Sequence, residues 1–523
     1  MLFPEYMLFH EYIGHWAAQY PERVALYDGE ITSTYRELDE QSNQLLCGLQ
    51  AWGIVKGNQI VTVLPPSYEY ILLLAAASKL GAIIVPFDVR YRDEDFSRFL
   101  PLTDPTLVIT MPVADDYCMV ETLQSQLDAS VRLVSTQDYA SLPVFSALFG
   151  DSSAYIQDTI GIDDPLLLIF TGGTTGHPKG ALLAHRQIIQ TSRMEYETIL
   201  KYTTYNVEQG SATLAALPPS HIGGSVEIII GGLMAGLSLV CQSSWHPVHV
   251  LEATVKYRMP IIAGVPAMFH ILLSLPLETF DLTSVKVVVL SGDKVSSALV
   301  REIQSRLCAK VIVSYGLTEA NVLTFSSPDD PVELFDDGYA GIPIADVKMK
   351  IDSTVQPNSL PETALGELLV HSPSMIDCYY QLPEETNVSF TDGYFRTGDL
   401  GRLDSQNRLF IEGRIKQIIR VGSYTVLPSE IEDFVAKQPG VLMVAAIGIP
   451  HKVLGEAICL IVSLAANSAH TSESLTKLCT ENMADYKVPR HICIREEIPL
   501  TRIGKIDKYQ LRREILRHLP SDT

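Results

Sequence analysis

The segment Thr171-Gly172-Gly173-Thr174-Thr175-Gly176-His177-Pro178-Lys179-Gly180 gathers glycines, threonine hydroxyls and one lysine directly after the apolar run Leu166-Leu167-Leu168-Ile169-Phe170. Glycines let a backbone fold closely around an anion and aim its N–H groups at it, while the hydroxyls add donors and the lysine adds charge. The chemistry this suits is gripping phosphate at the end of a buried strand. It is not a Walker loop: no stretch reads G-x-x-x-x-G-K-[ST], and Pro178 breaks any helix that would begin there. An ordinary turn is the other reading that a Gly/Thr/Pro cluster allows. Downstream, Ser314-Tyr315-Gly316-Leu317-Thr318-Glu319 follows a strand-like run. Its ring would suit stacking on a base, and its carboxylate would suit Mg²⁺ bridging phosphates. Asp392-Gly393-Tyr394-Phe395-Arg396-Thr397-Gly398-Asp399-Leu400 carries in Asp399 a carboxylate suited to ribose hydroxyls, and Gly413-Arg414-Ile415-Lys416 adds cations. Near the end, Pro499-Leu500-Thr501-Arg502-Ile503-Gly504-Lys505-Ile506-Asp507 sets Lys505 on a glycine-flanked loop. Taken singly these read as a strand exit, a turn residue and a surface lysine; their order and spacing carry the argument.

The elements that must position these groups are short apolar, β-branched runs alternating with helical patterns. Ile60-Val61-Thr62-Val63-Leu64 precedes a helix-like stretch from Tyr68 to Leu80, then Ile83-Ile84-Val85-Pro86. Leu107-Val108-Ile109-Thr110, Ser211 to Leu217, Ile261-Ile262-Ala263-Gly264, Val285 to Leu290 and Val311-Ile312-Val313 read as further buried strands. Buried strands separated by helices predict an α/β architecture with largely parallel sheets. Gly366-Glu367-Leu368-Leu369-Val370 and Arg408-Leu409-Phe410-Ile411-Glu412 have a hairpin-like texture that predicts a small β subdomain. After Gly413 the order is strand (Gln417 to Arg420), helix (Ser429 to Lys437) and two strands (Val441 to Ile449, Ala457 to Leu464), the size of a small α+β domain. The expected boundary lies near 414–416, giving domains 1–414 and 415–523.

Bulk composition narrows the partners. The 523 residues suffice for more than one domain, and 47% hydrophobic content is that of a globular chain. A net charge of −22 argues against nucleic acid as a partner, because a phosphate backbone demands a basic face. A nucleotide needs only a local pocket. The eight cysteines include no C-x-x-C pair, which fits reduced thiols in a cytoplasmic protein. The first ten residues have no basic n-region, and the apolar run Ile228 to Cys241, interrupted by glycines, is too short to span a bilayer. It reads as a buried strand–turn–helix. His10-Glu11-Tyr12-Ile13-Gly14-His15 mimics a zinc-protease helix, but its histidines are five apart and fall on different faces, and no G-x-S-x-G elbow makes Ser220-His221 part of a triad.

With these motifs in this order, the chain resembles the adenylate-forming superfamily of acyl-CoA synthetases, peptide-synthetase adenylation domains and firefly luciferase, and is most similar to the acyl-CoA synthetases. The resemblance runs from about Tyr20-Pro21-Glu22-Arg23-Val24-Ala25 to Lys508. It implies a large N-terminal domain of stacked α/β sheets with a small β-barrel-like subdomain, and a small mobile α+β C-terminal domain. It implies two half-reactions: a carboxylate attacks the α-phosphate of ATP to give an acyl adenylate and pyrophosphate, and a thiol then takes the acyl group and releases AMP. By position, Thr171, Gly172, Gly173, Thr174, Thr175, Gly176 and Lys179 would hold the β- and γ-phosphates. Tyr315 would stack on adenine beside Gly316, Gly292 and Asp293; Thr318 would touch the α-phosphate and Glu319 would hold Mg²⁺. Asp399 and Arg414 would grip the ribose, and Lys505 would bridge the carboxylate and the α-phosphate, neutralising two anions that must meet. Lys416 matches the hinge about which the small domain turns, opening a thiol path near Gly422 for coenzyme A. A carrier-protein phosphopantetheine is the alternative acceptor, a non-catalytic nucleotide-binding relative the remoter alternative, and a homodimer an assembly that the resemblance allows.

Three positions depart from the family pattern: Gly172 replaces the usual serine, Gln417 replaces the usual acid after the hinge lysine, and Ser291-Gly292-Asp293 replaces a G-A or G-G-A segment. Asp293 would face the adenine amino group through its backbone or place a charge by the acyl pocket. Leu217-Pro218-Pro219-Ser220-His221-Ile222-Gly223-Gly224 matches the segment lining that pocket. His221 stands where amino-acid-activating members carry an aspartate for the α-amine, so a fatty or aryl acid is the expected substrate, an unpaired buried ammonium being costly. His221 would gate the pocket or orient the carboxylate.

Overall fold

The computed structural model describes residues 8–114, 116–139, 141–151, 159–171, 178–203, 205, 210–307, 310–354, 365–422, 424–466, 468–501 and 505–518. The apolar runs fold where their patterning predicts. Gln59–Val63, Ile83–Phe87, Pro105–Thr110 and Arg132–Ser135 pair in parallel, and Pro165–Thr171 joins them beside Ile83–Phe87. Lys179–Ala184 then turns back as an antiparallel edge of this six-stranded sheet. Such strands are apolar throughout because helices cover both faces. One of these is Tyr68–Leu80, opened by the Ser67 hydroxyl accepting from the Tyr70 N–H and closed at Gly81, with every residue from Tyr70 onward buried.

A second sheet orders Ile261–Gly264, Val287–Ser291, Lys310–Leu317, Asn321–Phe325 and Ile342–Pro343, parallel for the first three and antiparallel thereafter. A third, antiparallel sheet holds Lys348–Asp352, Gly366–His371, Tyr394–Leu403 and Leu409–Arg414. One apolar core joins them, with Leu72, Ile84, Leu167, Ile312 and Leu368 as members. The C-terminal residues build separate cores, one around Ile419, Ile431, Leu460 and Leu475 and one around Ala445, Ile461 and Leu511. There Val441–His451 and Gly455–Leu464 form a long hairpin, with His491–Arg495 parallel to the latter. This is a mixed α/β chain with a large N-terminal and a small C-terminal domain.

Three local expectations are corrected. The run Ile228 to Cys241 is helix–turn–strand, not strand–turn–helix. Gly223–Ile230 is a π-helical stretch that continues into Gly231–Met234, Gly236 at φ +72° reverses the chain, and Ser238–Cys241 enters a sheet. A continuous apolar run carries no period to separate the two orders. The strand read from Gln417 to Arg420 is a 3₁₀ turn, Ile415–Gln417, followed by the strand Ile419–Val421. The strand before the tyrosine motif continues through Leu317, leaving Thr318 and Glu319 in the turn to Asn321–Phe325. Among the described residues no helix is long and apolar enough to cross a membrane, and the described cysteines are free thiols.

Candidate active site

Thr171 ends one strand and Lys179 begins its antiparallel neighbour, so the two stand opposite each other at the base of the glycine-rich segment, where the Thr171 hydroxyl donates to the Lys179 carbonyl (3.4 Å). A strand, not a helix, follows Pro178. Gly172, Gly173, Thr174, Thr175 and Gly176, on which most of the phosphate reading falls, lie outside the described residues, as does Gly504. The Lys179 ammonium lies 4.9 Å from the centre of the Tyr379 ring, and the Tyr379 hydroxyl donates to Glu319 Oε1 (2.8 Å). Two backbone bonds lock this arrangement: the Ile376 N–H donates to the Glu319 carbonyl and the Tyr380 N–H to the Gly180 carbonyl, both at 2.8 Å. Burial and the adjacent Glu319 charge push the Tyr379 phenol up, so it stays protonated and remains the donor. Tyr379 was not marked by the sequence; its only signal is an adjacent pair of aromatics, Tyr379-Tyr380, in a segment without a period.

Tyr394–Leu403 and Leu409–Arg414 pair antiparallel with Asp399 directly opposite Arg414, and the guanidinium Nε lies 2.8 Å from Asp399 Oδ1. Tyr315 donates its hydroxyl to the other oxygen, Oδ2, at 2.6 Å. Asp399, only 2% exposed, is thus held at both oxygens. Its N–H donates to the Thr397 hydroxyl (3.0 Å), which in turn donates to the Leu368 carbonyl (2.8 Å). The Asp399 charge raises the pKa of Arg414 against the opposing effect of burial, with Tyr315 and Glu319 adding to it; burial, then Asp399, push Tyr315 up. Gly316 and Thr318 lie beside Tyr315 on the same strand and turn.

Lys505 arrives from the other end of the chain. Its loop is closed by a bridge between Leu500 and Ile506 and by the Lys505 N–H donating to the Thr501 hydroxyl (3.1 Å). A side-chain carbon built on Gly292 would lie 3.5 Å from Lys505 Cε, 3.9 Å from its Nζ and 3.4 Å from Val265 Cγ1. The φ of +86° at Gly292 is the left-handed conformation that favours glycine, and it sets this turn directly beside the ammonium. Burial lowers the Lys505 pKa; Asp293 opposes it, Arg414 adds to it and Asp399 opposes it. Asp293 thus contributes a carboxylate near Lys505, its Oδ1 also accepting from the Lys294 N–H (2.8 Å). The small domain is fastened nearby: Lys294 pairs with Asp433 (2.5 Å), and the Ser429 hydroxyl donates to the Glu412 carbonyl (2.5 Å). The sequence marks neither tie: Lys294 and Asp433 are 139 residues apart, and Ser429 and Glu412, 17 apart, carry no shared motif.

The structure therefore brings Gly292, Asp293, Tyr315, Glu319, Asp399, Arg414 and Lys505 into one charged cluster. Lys416 sits exposed on the turn between the last strand of the large domain and the first of the small one. Gly422 lies in the small domain's hairpin, its N–H donating to the Leu454 carbonyl (2.7 Å), outside this cluster. His221 opens the π-helical stretch: its N–H donates to the Pro218 carbonyl, and its own carbonyl accepts from Gly224 and Ser225. The Gly292 turn, the doubly held Asp399 and the half-buried Lys505 ammonium suit a nucleotide with an anionic phosphate. Glu319 is a single carboxylate, and among the described residues no group of three or more His, Cys, Asp or Glu could hold a metal. That fits Mg²⁺, which takes one or two carboxylates and fills its shell with phosphate and water.

The family model described as AMP-binding enzyme matches residues 13–380, and that for the AMP-binding enzyme C-terminal domain matches residues 430–505. The putative acyl–CoA ligase YdaB of Bacillus subtilis is 27% identical over 495 residues, covering 94% of this chain and 96% of its own. The long-chain-fatty-acid–CoA ligase FadD13 of Mycobacterium tuberculosis is 28% identical over 494 residues, covering 94% and 95%. The solved structure of an ATP-bound RpMatB-BxBclM chimera superposes with a TM-score of 0.83 at 25% identity, over 96% of this chain and 98% of its own. With both family models matched along most of its length, this chain belongs to the AMP-binding enzyme family.

Proposed function

We propose that the protein is an ATP-dependent acid–thiol ligase that activates a carboxylic acid as its adenylate and passes the acyl group to coenzyme A. The observation that carries this reading is the convergence of Lys505, from the small domain, on Gly292, Asp293, Asp399 and Arg414 of the large one. The names of the relatives, acyl–CoA and fatty-acid–CoA ligases, support the class of reaction. In this reading residues 1–414 bind nucleotide and acid, and residues 415–523 form a mobile unit that turns at Lys416 and exposes the thiol path by Gly422. Asp399 and Arg414 hold the ribose while Tyr315 packs on the base. Lys505 sits between the incoming carboxylate and the α-phosphate, lowering their repulsion and orienting attack. Thr318 contacts that phosphate, and Thr171, Lys179 and the segment between them hold the departing pyrophosphate. His221 lines the path of the acid. Mg²⁺ held by Glu319 would supply charge neutralisation on the phosphates.

The test is pyrophosphate release across fatty, aryl and dicarboxylic acids, followed by thioester analysis with coenzyme A. Acid-dependent pyrophosphate and a coenzyme A thioester are expected; thioester formed only on an added carrier protein would move the acceptor to phosphopantetheine, and no acid dependence would sink the reading. Glu319→Gln keeps the Tyr379 contact but loses the charge. It should raise the Mg²⁺ concentration needed for half-maximal pyrophosphate release by roughly tenfold, the order of one charge-assisted contact. An unchanged Mg²⁺ titration removes Glu319 from the metal site.

A further inference from the structure

The strand Gly366–His371 is apolar from Leu368 to Val370, yet it carries a carboxylate at Glu367 that is only 5% exposed. Its antiparallel partner Tyr394–Leu403 does not keep step with it. Leu369 stands opposite Arg396 and Glu367 opposite Leu400, so Thr397, Gly398 and Asp399 together face Leu368 alone. The extra residues bulge out of the ladder, and Gly398 turns the bulge at φ +70°, in the left-handed region. A side-chain carbon built on Gly398 would meet nothing within 4 Å, so glycine serves the backbone turn here and not a close approach. Glu367 closes the bulge through both oxygens. Oε1 accepts from the Gly398 N–H (3.1 Å), and Oε2 accepts from the Arg396 guanidinium, which Asp352 flanks at 3.3 Å. The carbonyl of the next residue, Leu368, accepts from the Thr397 hydroxyl, which in turn accepts from the Asp399 N–H.

A buried carboxylate is costly unless donors surround it, and this one finds its donors just ahead of Asp399. Bulges re-aim the side chains beside them. Here Asp399 leaves the bulge with one oxygen on Arg414 and the other on Tyr315. That two-sided grip needs the Asp399 backbone in one place, and Glu367 fixes the turn that precedes it. We propose that Glu367 is a positioning residue, holding the Thr397-Gly398-Asp399 bulge in the shape that presents Asp399 to the nucleotide. This rests on the reading above that Asp399 grips the ribose. The geometry makes reach matter more than charge. Glu367→Gln can still accept from the Gly398 N–H while Asp352 stays beside Arg396, whereas Glu367→Asp keeps the charge but falls one methylene short of that N–H.

Binding of ATP in the presence of Mg²⁺ is measured by calorimetry for the wild-type chain, Glu367→Ala, Glu367→Asp, Glu367→Gln, Asp399→Asn and the double variant Glu367→Ala/Asp399→Asn. Glu367→Ala and Glu367→Asp should raise the Kd by ~10-fold, and Glu367→Gln should keep it within ~3-fold of wild type. On the Asp399→Asn background Glu367→Ala should add less than ~2-fold, because the group it positions is already gone. Thermal midpoints identify the folded variants, and Glu367→Asp carries the test where Glu367→Ala does not fold. Three results overturn the inference while Asp399→Asn still weakens ATP: a Kd unmoved in Glu367→Ala and Glu367→Asp, a loss in Glu367→Gln as large as in Glu367→Asp, or single effects that multiply fully in the double variant. ATP binding unmoved in Asp399→Asn, or no ATP bound by the wild type, overturns both the inference and the ribose reading.

Discussion

Lys505→Ala is expected to reduce acid-dependent ATP–pyrophosphate exchange by ~10²–10³-fold, the scale of losing one preorganised charge-stabilising group. Conversion of supplied acyl adenylate to thioester should be largely spared. The asymmetry follows from where the residue sits. Lys505 reaches the charged cluster from the C-terminal end of the chain, between Gly292 and the Asp293, Asp399 and Arg414 charges. In the proposed reaction two anions would meet at its ammonium during adenylation, whereas in thiol attack AMP would be leaving and the small domain would have turned away. The pH dependence has a definite sign. Burial depresses the Lys505 pKa, so the required ammonium is lost at a lower pH than for an ordinary lysine, and exchange falls as pH rises through that value. Lys505→Arg, which stays charged, should remove that alkaline fall even where its rate is low. Equal loss of both half-reactions in Lys505→Ala would refute the role.

Asp399→Asn is expected to raise the KM for ATP by ~10–10²-fold, the range of one hydrogen bond to a charged group. Asp399 is buried and engaged at both oxygens, by the Arg414 guanidinium and the Tyr315 hydroxyl, and so has no freedom to be replaced by a neighbour. The amide retains the shape and can still accept from Tyr315, but it leaves Arg414 without its counter-charge. Asp399→Ala removes both contacts and should destabilise the fold as well, by ~1–3 kcal/mol, because it leaves the half-buried Tyr315 hydroxyl without its acceptor while the partly exposed Arg414 guanidinium can turn to water. Chemical denaturation separates the two effects: Asn should keep most of the stability and lose nucleotide affinity, while Ala loses both. An unchanged ATP dependence in Asp399→Asn would remove Asp399 from the nucleotide site.

How much of this was legible in the chain depends on the range of each interaction. Tyr68–Leu80 and Ile261–Gly264 match the stretches that their patterning marks, because apolar period and flanking cap residues are local quantities. The run Ile228 to Cys241 defeats the same reasoning, since a continuous apolar stretch is equally compatible with helix and strand until its neighbours choose. The motif residues Tyr315, Glu319, Asp399, Arg414 and Lys505 could be named from order and spacing, and the structure gathers them. The partners that hold them could not. Tyr379 on Glu319 and Lys294 on Asp433 join segments about sixty and about 140 residues apart, and such pairings are fixed by which sheets stack on which.

By itself the sequence determined the α/β class, the division into a large and a small domain, and the identity of the charged residues, because patterning, turn chemistry and motif spacing are written along the chain. Tertiary structure alone decided that Lys505 lies against Gly292 and that Tyr379 stands between Lys179 and Glu319. Electrostatic energies depend on distance and burial in space, and neither is a property of sequence separation.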